Sequence, residues 1–131
     1  MRMISEHITI DEVSCNCGCG FGDKQGDLQK GIIDIFEEIR QQVSLYIGID
    51  TPIYISSGCR CEAYNSIVSK AKDSFHTKGQ ALDILCPEEL EFDKLLEICT
   101  VVMGGSGGLG IHRKKNFIHI DNRTKVWRKT Y

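Results

Sequence analysis

The chain has 131 residues, 41% of them hydrophobic and 26% charged, the size and balance of one soluble domain, 1–131, with a core of its own. Sixteen basic against eighteen acidic side chains, a formal charge of -2 and an isoelectric point near 6.1 leave no basic footprint, so no nucleic-acid partner is expected. No apolar run approaches the roughly 18 to 20 residues of a membrane span, and the N-terminus lacks the roughly 7 to 15-residue apolar stretch of a signal peptide. The expectation is therefore a protein made in the cytoplasm and not inserted in a membrane, acting elsewhere only if something releases it.

Thr9, Ile10, Asp11 and Glu12 have the Thr-x-x-Glu spacing of a capping box, which predicts a short helix. The glycine- and cysteine-rich run from Cys15 to Gly22 then has to turn. From about Asp27, the positions Leu28, Ile32, Ile35, Phe36, Ile39, Val43 and Ile47 recur at steps of three and four, an amphipathic helix that stops near Gly48. Pro52 opens a strand through Ser56, and Ser57-Gly58 turns it. A short helix is predicted from Glu62 to Lys70, then a polar loop through Gly79. A strand covers Gln80 to Leu85, a helix Glu88 to Met103, and a hairpin joins Leu109–Arg113 to Asn116–Asp121 through Lys114 and Lys115. Helices alternating with short strands and a hairpin indicate an α+β fold with a mainly antiparallel sheet and flanking helices.

The strands carry polar groups that packing does not explain. In Phe117-Ile118-His119-Ile120-Asp121 the period of two sets Phe117, His119 and Asp121 on one face, and Asp83 sits within an otherwise apolar strand. An unpaired charge there is costly unless a partner or a metal compensates it. His76, seven residues before Asp83, lies in a loop that Gly79 lets turn back. Two histidines and an aspartate can supply three ligands to zinc and leave a fourth position open, the arrangement of metal-assisted hydrolysis; hydrogen-bonded structural roles are the alternative.

At these residues the chain resembles a known family. Ser56-Ser57-Gly58-Cys59-Arg60-Cys61, Tyr64-Asn65, Ser74-Phe75-His76-Thr77-Lys78-Gly79-Gln80-Ala81-Leu82-Asp83-Ile84, Gly110-Ile111-His112 and Phe117-Ile118-His119-Ile120-Asp121 are similar, in that order, to the zinc D-alanyl-D-alanine carboxypeptidases. These are peptidoglycan peptidases, phage endolysins among them, which share a fold with the hedgehog signalling domain. The resemblance implies zinc on His76, Asp83 and His119, with Arg60 holding substrate and developing charge. It also implies that Ser74 contacts substrate; a turn hydroxyl is the other role open to it, and a surface ion pair the other for Arg60.

Asn116 departs from the pattern, standing where many members carry a catalytic carboxylate three residues before the third ligand. An amide accepts no proton, so Asp121 or His112 becomes the candidate general base. Asp121 has a second possible role, orienting a ligand imidazole, and His112 a second reading as an exposed hairpin histidine. Cys15-x-Cys17-x-Cys19 raises a second metal site completed by Cys59, Cys61, Cys86 or Cys99, but the spacing is tighter than that of zinc knuckles, and reduced thiols are the expectation. His7 is expected in solvent, and Trp127 and Tyr131 either pack the C-terminal segment or border the cleft.

The resemblance thus implies a zinc peptidase acting on a peptidoglycan stem peptide, of carboxypeptidase or endolysin type, reaching the wall if released as a phage or prophage lysin; a cytoplasmic dipeptidase also fits, and a monomer is expected. The competing readings are a catalytically silent zinc-containing domain that binds a peptide or protein, and a thiol-dependent or cysteine-metal protein centred on Cys15 to Cys19.

Overall fold

A computed structural model describes residues 2–69 and 73–131. The chain opens with β1 (Met3–Ser5) and β2 (Ile8–Thr9), an antiparallel pair, followed by the four-residue α1 (Ile10–Val13). Thr9 and Glu12 close the capping box reciprocally. After the cysteine-rich turn comes α2 (Lys30–Ile47), ending at Gly48 as its apolar spacing predicts. Then follow β3 (Ile55–Ser57), α3 (Glu62–Val68), a single 3-10 turn (Phe75–Lys78), β4 (Ala81–Leu85), α4 (Phe92–Met103), β5 (Gly108–His112), β6 (Phe117–Asp121) and β7 (Trp127–Thr130).

The architecture is α+β, as expected. Strands β3 to β7 form one sheet in the order β3-β4-β6-β5-β7, antiparallel except for the outer β5–β7 pair, which is parallel. That last strand has no counterpart among the predicted elements, because Trp127-Arg128-Lys129-Thr130 is mostly exposed and lacks an apolar face. The helix expected from Glu88 begins only at Phe92, and residues 88–90 form a turn in which the Leu90 amide bonds to the Pro87 carbonyl. The expected helix end at Lys70 and the first part of the polar loop lie outside the described residues.

The two faces of the sheet differ, and that difference positions the site. Leu82, Ile84, Leu109, Ile118 and Ile120 are fully buried with Ile32, Phe36, Ile39 and Val43 of α2 and Leu95 and Cys99 of α4. Each such side chain contributes roughly 1.5–3 kcal/mol by leaving water. The alternate residues Asp83, His119 and Asp121 project from the opposite face. Register sets Asp83 directly across from His119 on β4–β6, while Gly110 and Gly108 of β5 flank His119 and Asp121 from the other side.

Cys59, Cys86 and Cys99 are buried thiols, and burial pushes those of Cys59 and Cys99 up to about 12, so they pack as small apolar groups. His7, expected in solvent, is half-buried instead: its Nδ1 lies 2.6 Å from a Glu37 carboxylate oxygen on α2. Among the described residues no helix is long and apolar enough to cross a membrane.

Candidate active site

A cleft of about 560 Å³ opens over the polar face of the sheet. His76, Asp83 and His119 form its floor, while Arg60, Ser74, Phe75 and His112 line it beside Tyr64, Arg123, Trp127 and Tyr131. A larger depression of about 680 Å³, bordered by His7, Glu37 and Arg40, is lined by ion-paired surface groups without such a floor.

His76 is presented by the 3-10 turn and is buried. Ser74 caps that turn, its hydroxyl accepting the His76 amide at 3.3 Å, which is the turn role read from sequence, and the residue also lines the cleft. The His76 ring is oriented by its Nδ1, 2.6 Å from the Gly58 carbonyl. A carbonyl only accepts, so Nδ1 carries the proton and Nε2 presents a lone pair. For His119 the arrangement is reversed. Nε2 donates to Asp121 Oδ2 at 2.8 Å, which leaves Nδ1 as the free lone pair.

The two lone pairs meet. His76 Nε2 lies 3.2 Å from His119 Nδ1, and Asp83 Oδ1 is 3.1 Å from both. Three donor atoms at near-equal separations form one face of a tetrahedron. Bonds of about 2.0–2.1 Å from a tetrahedral zinc to nitrogen and oxygen place ligand atoms about 3.3 Å apart. The triangle is tighter than that by one or two tenths of an ångström, and each imidazole has its other nitrogen held by an acceptor, as metal-ligating histidines do. The residues therefore fit a divalent metal with three protein ligands.

Electrostatics reinforce the fit. Burial pushes the Asp83 carboxyl up, but the imidazoles of His119 and His76 beside it outweigh that and hold the group well below the usual carboxylate range. Burial favours a neutral His119, yet its bonds to Asp121 and Asp83 raise its pKa above the ordinary histidine value. Without metal this ring therefore takes up a proton readily, and a metal has to displace it.

Arg60 reaches the site from the β3–α3 turn. Its Nη2 lies 3.6 Å from Asp83 Oδ2, Nε donates to Ser57 Oγ at 3.1 Å, and Nη1 to Asn65 Oδ1 at 3.0 Å. The guanidinium has more N–H donors than these partners use and lines the cleft, which sets it apart from the surface ion pair kept open in the sequence.

Asp121 shares a strand face with His119, as the alternation requires, but the structure does not bring it into the cleft. Its carboxylate is fully buried, bonded by His119 and bracketed by Arg123, whose Nε and Nη2 donate at 2.8 and 2.7 Å. Burial raises its pKa, and those bonds lower it well below the usual range. Gly108 makes the space: a Cβ there would stand 2.6 Å from Asp121 Oδ1 and 2.7 Å from Arg123 Nε.

His112 is no exposed hairpin residue. Its ring is stacked between Phe117 and Tyr131, each centroid 4.1 Å away, and burial lowers its pKa. Asn116 lies apart from the cleft, in the hairpin turn at φ +59°, donating to the Cys86 carbonyl at 3.3 Å. Asparagine adopts that left-handed conformation more readily than most residues, which explains it without reference to chemistry.

His76, Asp83 and His119 all fall within a match to one family. Residues 6–121 match the model for peptidase M15. The chain belongs to the peptidase M15 family. It is also 31% identical over 93 residues to the peptidoglycan L,D-endopeptidase MepK of Escherichia coli K12, with the same values for the proteins of that name from Escherichia coli O157:H7 and Shigella flexneri. The matched segment covers 66% of this chain and 48% of each relative, so the chain spans about half the length of the curated relatives it matches.

Sequence reading missed Arg123 and left Trp127 and Tyr131 undecided between packing and the cleft. Both aromatics border the cleft, and Arg123 sits between the Phe75 and Trp127 rings at 4.4 and 4.3 Å. The period of two that paired His119 with Asp121 extends to Arg123, and was the available signal. Trp127 had none, since only the parallel β5–β7 pairing brings its ring edge-on to His119, 6.2 Å away.

Proposed function

We propose that this chain is a zinc-dependent peptidase that hydrolyses a peptide bond in the stem peptides of peptidoglycan, as an endopeptidase rather than a carboxypeptidase. The observation that carries the reading is the triangle formed by His76 Nε2, Asp83 Oδ1 and His119 Nδ1, with both imidazole tautomers set by outer partners. Family membership supports the reaction class, and the name of the matched relatives supports both the substrate and internal cleavage.

Zinc held by three protein ligands supplies a Lewis acid and makes hydroxide accessible near neutral pH. The chain's own residues do the rest. Arg60 binds the scissile carbonyl and the negative charge that develops on its oxygen, where a fixed cation is most effective. His112, kept toward its neutral form by burial, accepts a proton from the attacking water at an imidazole nitrogen and returns it to the departing amine. Asp121 fixes the His119 tautomer and moves no proton. Trp127, Tyr131 and Tyr64 offer ring faces and edges to the sugar-linked peptide and exclude water from the bond. Delivery to the wall by a phage or prophage lysis system, and action as a monomer, belong to the same proposal.

The test is mass spectrometry of purified peptidoglycan fragments incubated with zinc-loaded protein, a chelated sample and His119→Ala. Release of a defined fragment that needs both metal and His119 is the expected result, and its mass identifies the bond. Bound zinc with every fragment intact, across several peptidoglycan chemotypes, would replace the peptidase by the silent binding domain.

A further inference from the structure

The cysteines outside the core gather in one place. Cys15, Cys17 and Cys19 of the turn after α1 meet Cys61 at the start of α3, with all four Sγ atoms within 4.8 Å of one another. The Cys15–Cys17, Cys17–Cys61 and Cys15–Cys61 separations are 3.4, 3.5 and 3.9 Å. A disulfide needs about 2.05 Å between sulfurs, so none of these pairs is bonded. Bonds of about 2.3 Å from a tetrahedral zinc to sulfur place ligand sulfurs about 3.8 Å apart, and the observed separations bracket that value.

We propose that Cys15, Cys17, Cys19 and Cys61 form a second metal site, a closed four-sulfur zinc centre separate from the His76–Asp83–His119 triangle.

The objection raised by the tight C-x-C spacing is met by the backbone. Gly18 stands at φ +82°, a left-handed conformation open to glycine, and its amide bonds to the Cys15 carbonyl at 3.2 Å. The chain reverses there, so Cys17 and Cys19 reach the same point from the two sides of the turn. The Cys15 amide bonds to the Phe21 carbonyl at 2.8 Å and closes the loop. Backbone N–H groups already point at the sulfurs: Cys61 N donates to Cys15 Sγ and Tyr64 N to Cys61 Sγ, both at 3.4 Å. Such donors support thiolates, the form in which cysteine binds metal. Each S–Zn bond forms as its thiol releases a proton to solvent.

Four sulfurs leave no open position, so this zinc is structural. It joins residues 46 apart in sequence, and Cys61 follows Arg60 directly. The Arg60 amide bonds to the His76 carbonyl at 3.1 Å, and the Cys59 amide to that of Val13 at 2.7 Å, so the turn presenting the guanidinium is braced from both sides. The zinc would secure the end of that turn to the N-terminal loop.

The experiment measures metal content and zinc X-ray absorption on the reduced, full-length chain, and repeats both, with cobalt in place of zinc, on His76→Ala and on Cys17→Ser/Cys19→Ser. The expected result is a second zinc in the intact protein and a sulfur shell at about 2.3 Å in its spectrum. His76→Ala retains that shell and shows a thiolate-to-cobalt charge-transfer band, and the double serine variant loses both. A spectrum of the intact protein with only nitrogen and oxygen neighbours would overturn the proposal, as would four thiols that alkylate at the same rate with and without zinc. The intact-protein spectrum decides even if a variant does not fold. A sulfur shell without hydrolysis would refute the peptidase and leave this site standing.

Discussion

Replacing Asp121 by asparagine separates two roles that the strand pattern alone cannot distinguish. The carboxylate accepts from His119 Nε2 at 2.8 Å and from Arg123 at 2.8 and 2.7 Å, within a fully buried pocket. Asparagine keeps one acceptor and gains a donor. If its oxygen faces Arg123, its NH2 meets the His119 N–H, and the imidazole relieves the clash by moving its proton to Nδ1, the atom that faces Asp83 and His76. If the amide turns round, its oxygen keeps the bonds from His119 and Arg123 Nη2, and its NH2 meets Arg123 Nε instead. Loss of an outer-shell partner typically weakens metal binding roughly 10- to 100-fold, or about 1.4–2.8 kcal/mol. Loss of a charge-assisted bond within the buried pair costs the metal-free fold about 2–3 kcal/mol. Competition with a chromophoric chelator measures the first effect, and denaturant unfolding of the metal-free protein the second. Turnover, assayed at saturating zinc, should recover most of its wild-type value. Wild-type zinc affinity together with abolished turnover would refute the reasoning and make Asp121 the proton carrier.

His112→Gln should lower kcat roughly 10²- to 10⁴-fold with zinc content unchanged, as expected for removal of a general base, and unaltered turnover would clear His112 of that role. In the wild-type protein the acid limb of the pH–rate profile should fall below the ordinary histidine value of about 6.5, because burial lowers the His112 pKa and the base acts in its neutral form. Gly108→Ala should destabilise the chain by about 1–3 kcal/mol and weaken zinc binding with it, since the added methyl displaces the Asp121–Arg123 pair; thermal melting with and without zinc measures both. Glu37 is held below its usual pKa because bonds from Ser5 and His7 outweigh its burial. A carboxylate depressed in the folded state stabilises the fold above its unfolded pKa of about 4.3 and loses that contribution as pH falls toward the folded value. Unfolding of Glu37→Gln should therefore show a shallower loss of stability below about pH 4.3 than wild type, and parallel curves would contradict the pairing.

Much of the molecule was legible in the linear chain because its information is periodic and local. Three- and four-residue steps located α2, the Thr9–Glu12 box located α1, and the alternation through His119 separated a packed face from a polar one. These patterns are properties of neighbouring residues, and backbone geometry converts them directly into faces. His76, Asp83 and His119 stood out for the related reason that polar groups on core strands need compensation.

What the chain alone left open depended on distance in sequence. Asp121 carried the same strand-face signature as a general base or as an orienting partner, and only Arg123 folding back over it, in space that Gly108 leaves empty, engages both oxygens. Asn116 reads as a missing catalytic group until the hairpin turns it away from the cleft and gives it a left-handed backbone. Trp127 and Tyr131 join the cleft through a parallel pairing that no local pattern encodes. Cys61 meets Cys15 across 46 residues, and no spacing rule for a short motif registers such a partner. Propensity and periodicity act between neighbours along the chain, whereas a lone pair, a proton or a metal responds to whatever atom lies about three ångströms away in space, and only the tertiary structure decides which residue supplies it.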